Sequence, residues 1–169
     1  MAEKQSPGAD FSPEGDTRGP LLAAMENPQR RRQIRVALTV AGGMPEEPYE
    51  LRFESYGNGE LSCGLVTPQA RQMRMERASL SEREASDLLG RMNLTELVKA
   101  ESPMPRIPPD SLVGRLEVSA DGEPLVIYFM ADPGQARDAG QPPPAHVVRA
   151  VEAIYGTCER VLGNRWKAP

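Results

Sequence analysis

A chain of 169 residues fits one domain comfortably and two only with difficulty. Its hydrophobic share of 39%, with 17 Pro and 15 Gly, describes short elements separated by long connections, and no apolar run approaches the roughly 18 residues a membrane span requires. The formal net charge of −4 argues against wholesale binding to a polyanion.

Met1 to about Pro20 carries Pro7, Pro13, Pro20, Gly8, Gly15 and Gly19 among scattered acids and offers almost nothing apolar to bury. Disorder is expected over residues 1–29, apart from the apolar patch Leu21–Met25, which has the makings of one helical turn before Pro28. That patch has two destinations, its own domain or a partner. The first residues lack the apolar core of a secretory signal, which points to the cytoplasm and to reduced thiols at Cys63 and Cys158.

A single domain is expected over residues 30–164, starting at the basic cluster Arg30, Arg31, Arg32 and Arg35. Ile34, Val36, Leu38 and Val40 alternate with Arg35, Ala37 and Thr39, the period of a half-buried strand. Tyr49, Leu51 and Phe53 alternate with Glu50, Arg52 and Glu54 as a second. Gly57-Asn58-Gly59 is a turn signal, and Leu61, Cys63 and Leu65 alternate as a third strand.

Residues 67–78 admit two readings. Thr67-Pro68 fits a helix start, whereas Met73 and Met75 alternating with Arg74 and Glu76 fit a fourth strand, which is preferred because the next helix has its own start signal. That signal is Ser81 with Glu84 three residues later, a capping box, with Leu80 stapling toward Ala85. Ala85, Leu88, Leu89 and Met92 form the buried stripe, continued by Leu94, Leu97 and Val98 after a break.

Pro103, Pro105, Pro108 and Pro109 make an extended connector. Leu112–Val118 and Pro124–Met130 flank Asp121-Gly122 as a hairpin, and Leu125–Met130, apolar on both faces, reads as a central strand. Residues 132–144 read as a loop. Val147, Val148, Val151, Ile154, Tyr155, Cys158, Val161 and Leu162 follow helical spacing to Gly163-Asn164, and residues 165–169 form a tail. The expected fold is therefore α+β: an antiparallel sheet of five or six strands with two main helices on one face.

The chemistry is sparse. His146 is the one histidine, and Cys63 and Cys158 lie far apart in sequence, so zinc spacing is absent. No phosphate-binding glycine loop or calcium loop occurs, and no cofactor is implied. Cys63 with His146 is the available nucleophilic dyad, but Cys63 alternates inward with Leu61 and Leu65, Cys158 lies on an apolar stripe, and both read as core. His146 reads as a solvated residue in a first helical turn. Glu50, Glu54 and Asp110 are the carboxylates considered for acid–base work, and the first two share a solvated face.

Two binding roles follow. The expectation is a non-catalytic, protein-binding accessory or adaptor, as one subunit of a larger complex or as a dedicated partner of another protein, using the face or an edge strand of the sheet, Leu22, Met25, Arg31, Arg32 and Arg35. Charge reversal in the cluster is then expected to weaken partner capture and leave thermal stability unchanged. The alternative is a nucleic-acid accessory using Arg30, Arg71, Arg74, Arg77 and, for base stacking, Trp166. The element order is similar to that of small acidic bacterial secretion chaperones, which set helices against a twisted antiparallel sheet and bind client segments. That resemblance implies a segment-binding role, and the acidity fits an immunity- or inhibitor-type protein equally.

Overall fold

The computed structural model describes residues 17–169. Disorder expected over residues 1–16 lies outside the described residues. The chain runs through α1 (Arg18–Glu26), α2 (Pro28–Arg31), β1 (Arg35–Gly42), β2 (Tyr49–Tyr56), β3 (Glu60–Val66), β4 (Met75–Ser79), α3 (Glu82–Arg91), α4 (Leu94–Lys99), β5 (Leu112–Ser119), β6 (Leu125–Met130), α5 (Pro133–Asp138) and α6 (Ala145–Leu162). The strands form one six-stranded antiparallel sheet in the order β4-β3-β2-β1-β5-β6.

Alternation along each strand decides which face meets the helices. Val36, Leu38 and Val40 pair with Ser55, Phe53 and Leu51 on one side and with Val118, Leu116 and Gly114 on the other. These rows are buried, and with Leu61, Cys63 and Leu65 they form the sheet's half of the core. The helical half comes mainly from α6, whose Val147, Ala150, Val151, Ile154, Cys158 and Leu162 are buried at helical spacing. At about 27 Å, α6 is long enough to cross the sheet.

The local signals explain the joints. Asn58 Oδ1 accepts the Glu60 N–H at 3.0 Å in the β2–β3 turn. Glycine is required at 57 for space, because a Cβ there would lie 1.9 Å from the Arg31 carbonyl oxygen. The capping box forms in full: Glu84 N–H donates to Ser81 Oγ, and Ser81 N–H donates to Glu84 Oε2. Asn93, at φ 46°, breaks the helical run between α3 and α4.

One alternative is decided and three expectations need amendment. Residues 75–79 form a strand, and residues 67–74 form a turn and an approach to it, not a helix. The ordered chain starts before the arginine cluster: Leu21 and Ala24 of α1 are buried in the core. Residues 133–138 form a short helix instead of loop, capped by Asp132 Oδ1 accepting from Gly134 and Gln135 N–H, with Pro133 at its first position. The third correction concerns Leu125–Met130. This strand is not central. It is the outer edge of the sheet beside β5.

Candidate interaction surface

The open face of the sheet, away from the helices, is built from the alternate residues of the same strands. On β1 and β2 these are Arg35, Ala37, Thr39, Glu50, Arg52, Glu54 and Tyr56. They form a web of internal pairs. Arg35 reaches Glu54 at 2.6 Å and Glu117 at 3.2 Å, and Arg52 reaches Glu50 at 2.6 Å. Arg115 pairs with Glu117 and donates from Nε to Tyr128 Oη at 3.2 Å, its guanidinium carbon 5.9 Å from the Tyr128 ring centre. Burial works against the charge on Arg35, but its hydrogen bonds to Glu54 and Glu117 outweigh that and hold its pKa above the usual value. Most of the charge on this face is thus answered within the domain.

The predicted basic residues are distributed among several jobs. Arg31 donates from Nε and Nη2 to the Met25 carbonyl at 3.0 and 2.6 Å, closing the C-terminal end of α1. Arg32 is exposed and lies 3.6 Å from Glu82. Leu22 and Met25 are half-buried against the core and, with Arg31, Ile34, Leu89 and Leu94, line a groove of about 450 Å³ where α1, α3 and α4 meet. Leu22, Met25 and Arg31 therefore share one surface in the helical layer, whereas Arg35 is on the opposite face of the sheet.

The nucleic-acid set is not gathered either. Arg30 and Arg32 flank the turn at the Gly57 end of β3, while Arg71 and Arg74 precede β4 at the other end of that strand, about 20 Å away. Arg74 lies 3.5 Å from Glu76, which also holds Arg165 at 2.8 Å, and Arg77 is exposed on β4. Trp166 packs at 5.5 Å from the Tyr155 ring, half-buried against the core, and does not offer its face as an open stacking platform. The Tyr49 hydroxyl fastens the tail by donating to the Lys167 carbonyl at 2.7 Å.

The nucleophilic dyad does not assemble. Cys63 and Cys158 are both fully buried, Cys63 on the helix-facing side of β3 and Cys158 on the buried stripe of α6. His146 Nε2 sits 2.8 Å from Ser102 Oγ, near the start of α6 and about 18 Å along the helix from Cys158. That contact ties the proline-rich connector to α6. Among the described residues no group of three or more His, Cys, Asp or Glu side chains is placed to hold a metal ion.

The sequence points to a sheet edge as a docking surface but not to which strand forms it; that edge includes β6, read from the sequence as central. Ala131 N–H donates to Leu112 O at 2.9 Å, which sets the ladder's alternation. Leu125, Ile127 and Phe129 accordingly bond to β5, and Val126, Tyr128 and Met130 turn their N–H and C=O groups away from it, the first two half-buried and Met130 covered. Among the described residues those outward groups have no hydrogen-bond partner. The strand, Leu-Val-Ile-Tyr-Phe-Met, carries no charge. The other edge, β4, is Met-Glu-Arg-Ala-Ser, one residue shorter and charged at its centre, as edges that resist pairing are.

No family model matches the chain, and no curated protein matches it. No helix among the described residues is long and apolar enough to cross a membrane.

Proposed function

We propose that this protein is a non-catalytic, protein-binding accessory module that receives an extended segment of another protein along the β6 edge. The observation that carries this reading is an uncharged edge strand whose accessible outward residues, Val126 and Tyr128, have unpaired backbone groups. Strand addition satisfies those donors and acceptors, and the side chains of Val126 and Tyr128, half-buried on the open face, add apolar contact beside them. Arg115 supports the site by holding the Tyr128 hydroxyl. Such a role suits a subunit of a larger complex or a module that shelters a partner's segment, acting in the cytoplasm.

The test is capture from native cell extract by the tagged full chain, with nuclease added, comparing wild type with Val126→Pro. Proline at 126 deletes an outward donor and leaves the hydrogen bonds to β5 in place. A stoichiometric protein partner that survives nuclease and is lost with Val126→Pro supports the reading. Equal capture by both, or loss of all co-purifying material after nuclease, overturns it; the second result favours the arginines and nucleic acid. Capture of a second copy of this chain alone would make self-pairing the occupant and overturn the accessory role.

A further inference from the structure

We propose that residues 102–109 are an interaction surface of their own, a pre-ordered proline ligand that seats in the aromatic-lined groove of a partner domain and reaches with Arg106 for acidic side chains beside that groove. The proposal stands apart from the β6 edge and rests on the connector between α4 and β5. Residues 101–108 have no regular secondary structure, and among the described residues no backbone–backbone hydrogen bond holds residues 101–110. Their extension is set by the chain itself. Pro103, Pro105, Pro108 and Pro109 fix their own φ, and Ser102, Met104, Ile107 and Pro108, each followed by proline, are pushed away from the helical region. Between Ser102 and Pro109 only Arg106 escapes both restrictions. Together they describe a left-handed polyproline helix, with three residues per turn and a rise of about 3.1 Å.

Exposure follows that turn. Ser102 and Pro105, one turn apart, are half-buried, whereas Pro103, Arg106 and Pro109, on the next edge, are exposed. Met104 is 67% exposed, and Pro108 is exposed beside Pro109. Side chains of the helical layer fasten the segment at two points. His146 Nε2 is hydrogen-bonded to Ser102 Oγ at 2.8 Å. The Gln141 amide takes both backbone groups of Arg106: its Oε1 accepts from the Arg106 N–H at 2.6 Å, and its Nε2 donates to the Arg106 carbonyl at 2.5 Å. The Arg106 guanidinium, by contrast, has no ion-pair or hydrogen-bond partner among the described residues. The chemistry of the partner follows from these placements. Aromatic rings set side by side grip the ridges of a polyproline helix, and a ridge already formed avoids the ordering cost that a flexible segment brings. Arg106, the one cation of the segment, is matched by acidic groups at the border of the groove.

The experiment adds the unlabelled full chain to isotope-labelled SH3 and WW domains, whose grooves are lined by aromatic rings, and follows the groove tryptophan resonances by NMR. The expected result is a saturable shift in at least one of the two domains, weakened about tenfold by Arg106→Ala. That variant keeps both backbone bonds to Gln141, so its Tm should match wild type. A synthetic peptide of residues 100–111 should bind several-fold more weakly than the folded chain, because it must be ordered on binding. Gln141→Ala, which frees the Arg106 backbone, should lose part of that advantage. No response of either groove to the full chain at millimolar concentration would overturn the proposal. A peptide that binds as tightly as the folded chain would do so too, since the ties to His146 and Gln141 would then confer nothing. An Arg106→Ala affinity equal to wild type would remove the acidic border from the partner and overturn the proposal as stated.

Discussion

Gly114 of β5 and Phe129 of β6 lie opposite each other on the helix-facing side of the sheet, and this pair fastens the edge strand to its neighbour. A Cβ at 114 would lie 2.1 Å from the Phe129 ring, with two further ring carbons at 2.3 and 2.6 Å, so the ring covers the glycine directly. Gly114→Ala therefore cannot be absorbed by moving one flexible atom. The ring or β6 itself must shift, at a cost of about 1–3 kcal/mol. Phe129 is 4% exposed, and Phe129→Ala should cost about 3–5 kcal/mol through lost burial and a cavity. The informative quantity is the coupling. In the Phe129→Ala background the new methyl enters vacated space, so the double variant should be at least about 1 kcal/mol more stable than the sum of the two losses predicts. Urea unfolding followed by circular dichroism measures all four proteins. Additivity within about 0.5 kcal/mol would refute the packing described for β6.

Three further outcomes follow from individual contacts. Glu84 is held below its usual pKa, first by the Ser81 backbone N–H and then by the Ser81 hydroxyl, so its contribution to stability is present above the unfolded value and is lost as pH falls through the lower folded one. The stability advantage of wild type over Glu84→Gln should accordingly shrink between about pH 5 and pH 3, and a pH-independent difference would refute the charge-assisted cap. Arg35→Ala should lower stability by about 1 kcal/mol, a modest figure because the Arg35 side chain is 32% exposed and solvent screens the pair; Arg30→Ala should stay within about 0.5 kcal/mol. An undisturbed Arg35→Ala would restore the cluster as a purely functional surface. The Tyr155 hydroxyl is buried with no hydrogen-bond partner among the described residues, so Tyr155→Phe should be neutral or stabilising by up to about 1 kcal/mol in thermal unfolding, and a clear loss would reveal an unseen partner.

Local chemistry made much of the fold legible. The first three strands were readable because their open face is charged, so period-two alternation stands out at Arg35, Glu50, Arg52 and Glu54. The α3 start was readable because Ser81 and Glu84 answer each other's backbone groups across one turn. The failures have a common cause in contacts distant along the chain. Leu125–Met130 looked central because a strand apolar on both faces is normally covered on both, whereas here the strand is uncharged at an edge. The placement of β5 beside β1 decides that edge, and no local pattern encodes it. Leu21 and Ala24 were obscured by the proline- and glycine-rich sequence before them; their helix is held by Arg31, whose own charge had suggested a partner. Cys63 and Cys158 were each legible as inward residues, because each falls on the apolar period of its own element, and both are buried.

The most direct test of the account is amide hydrogen exchange, residue by residue, on the protein free and with its captured partner. Strand addition predicts that the outward amides of Val126 and Tyr128 exchange freely alone and slow by at least about tenfold in the complex, while the outward amide of Arg77 on the β4 edge is unchanged. Protection that falls instead on β4, or at the α1–α3–α4 groove with β6 unaltered, would contradict the assignment of β6 as the docking edge.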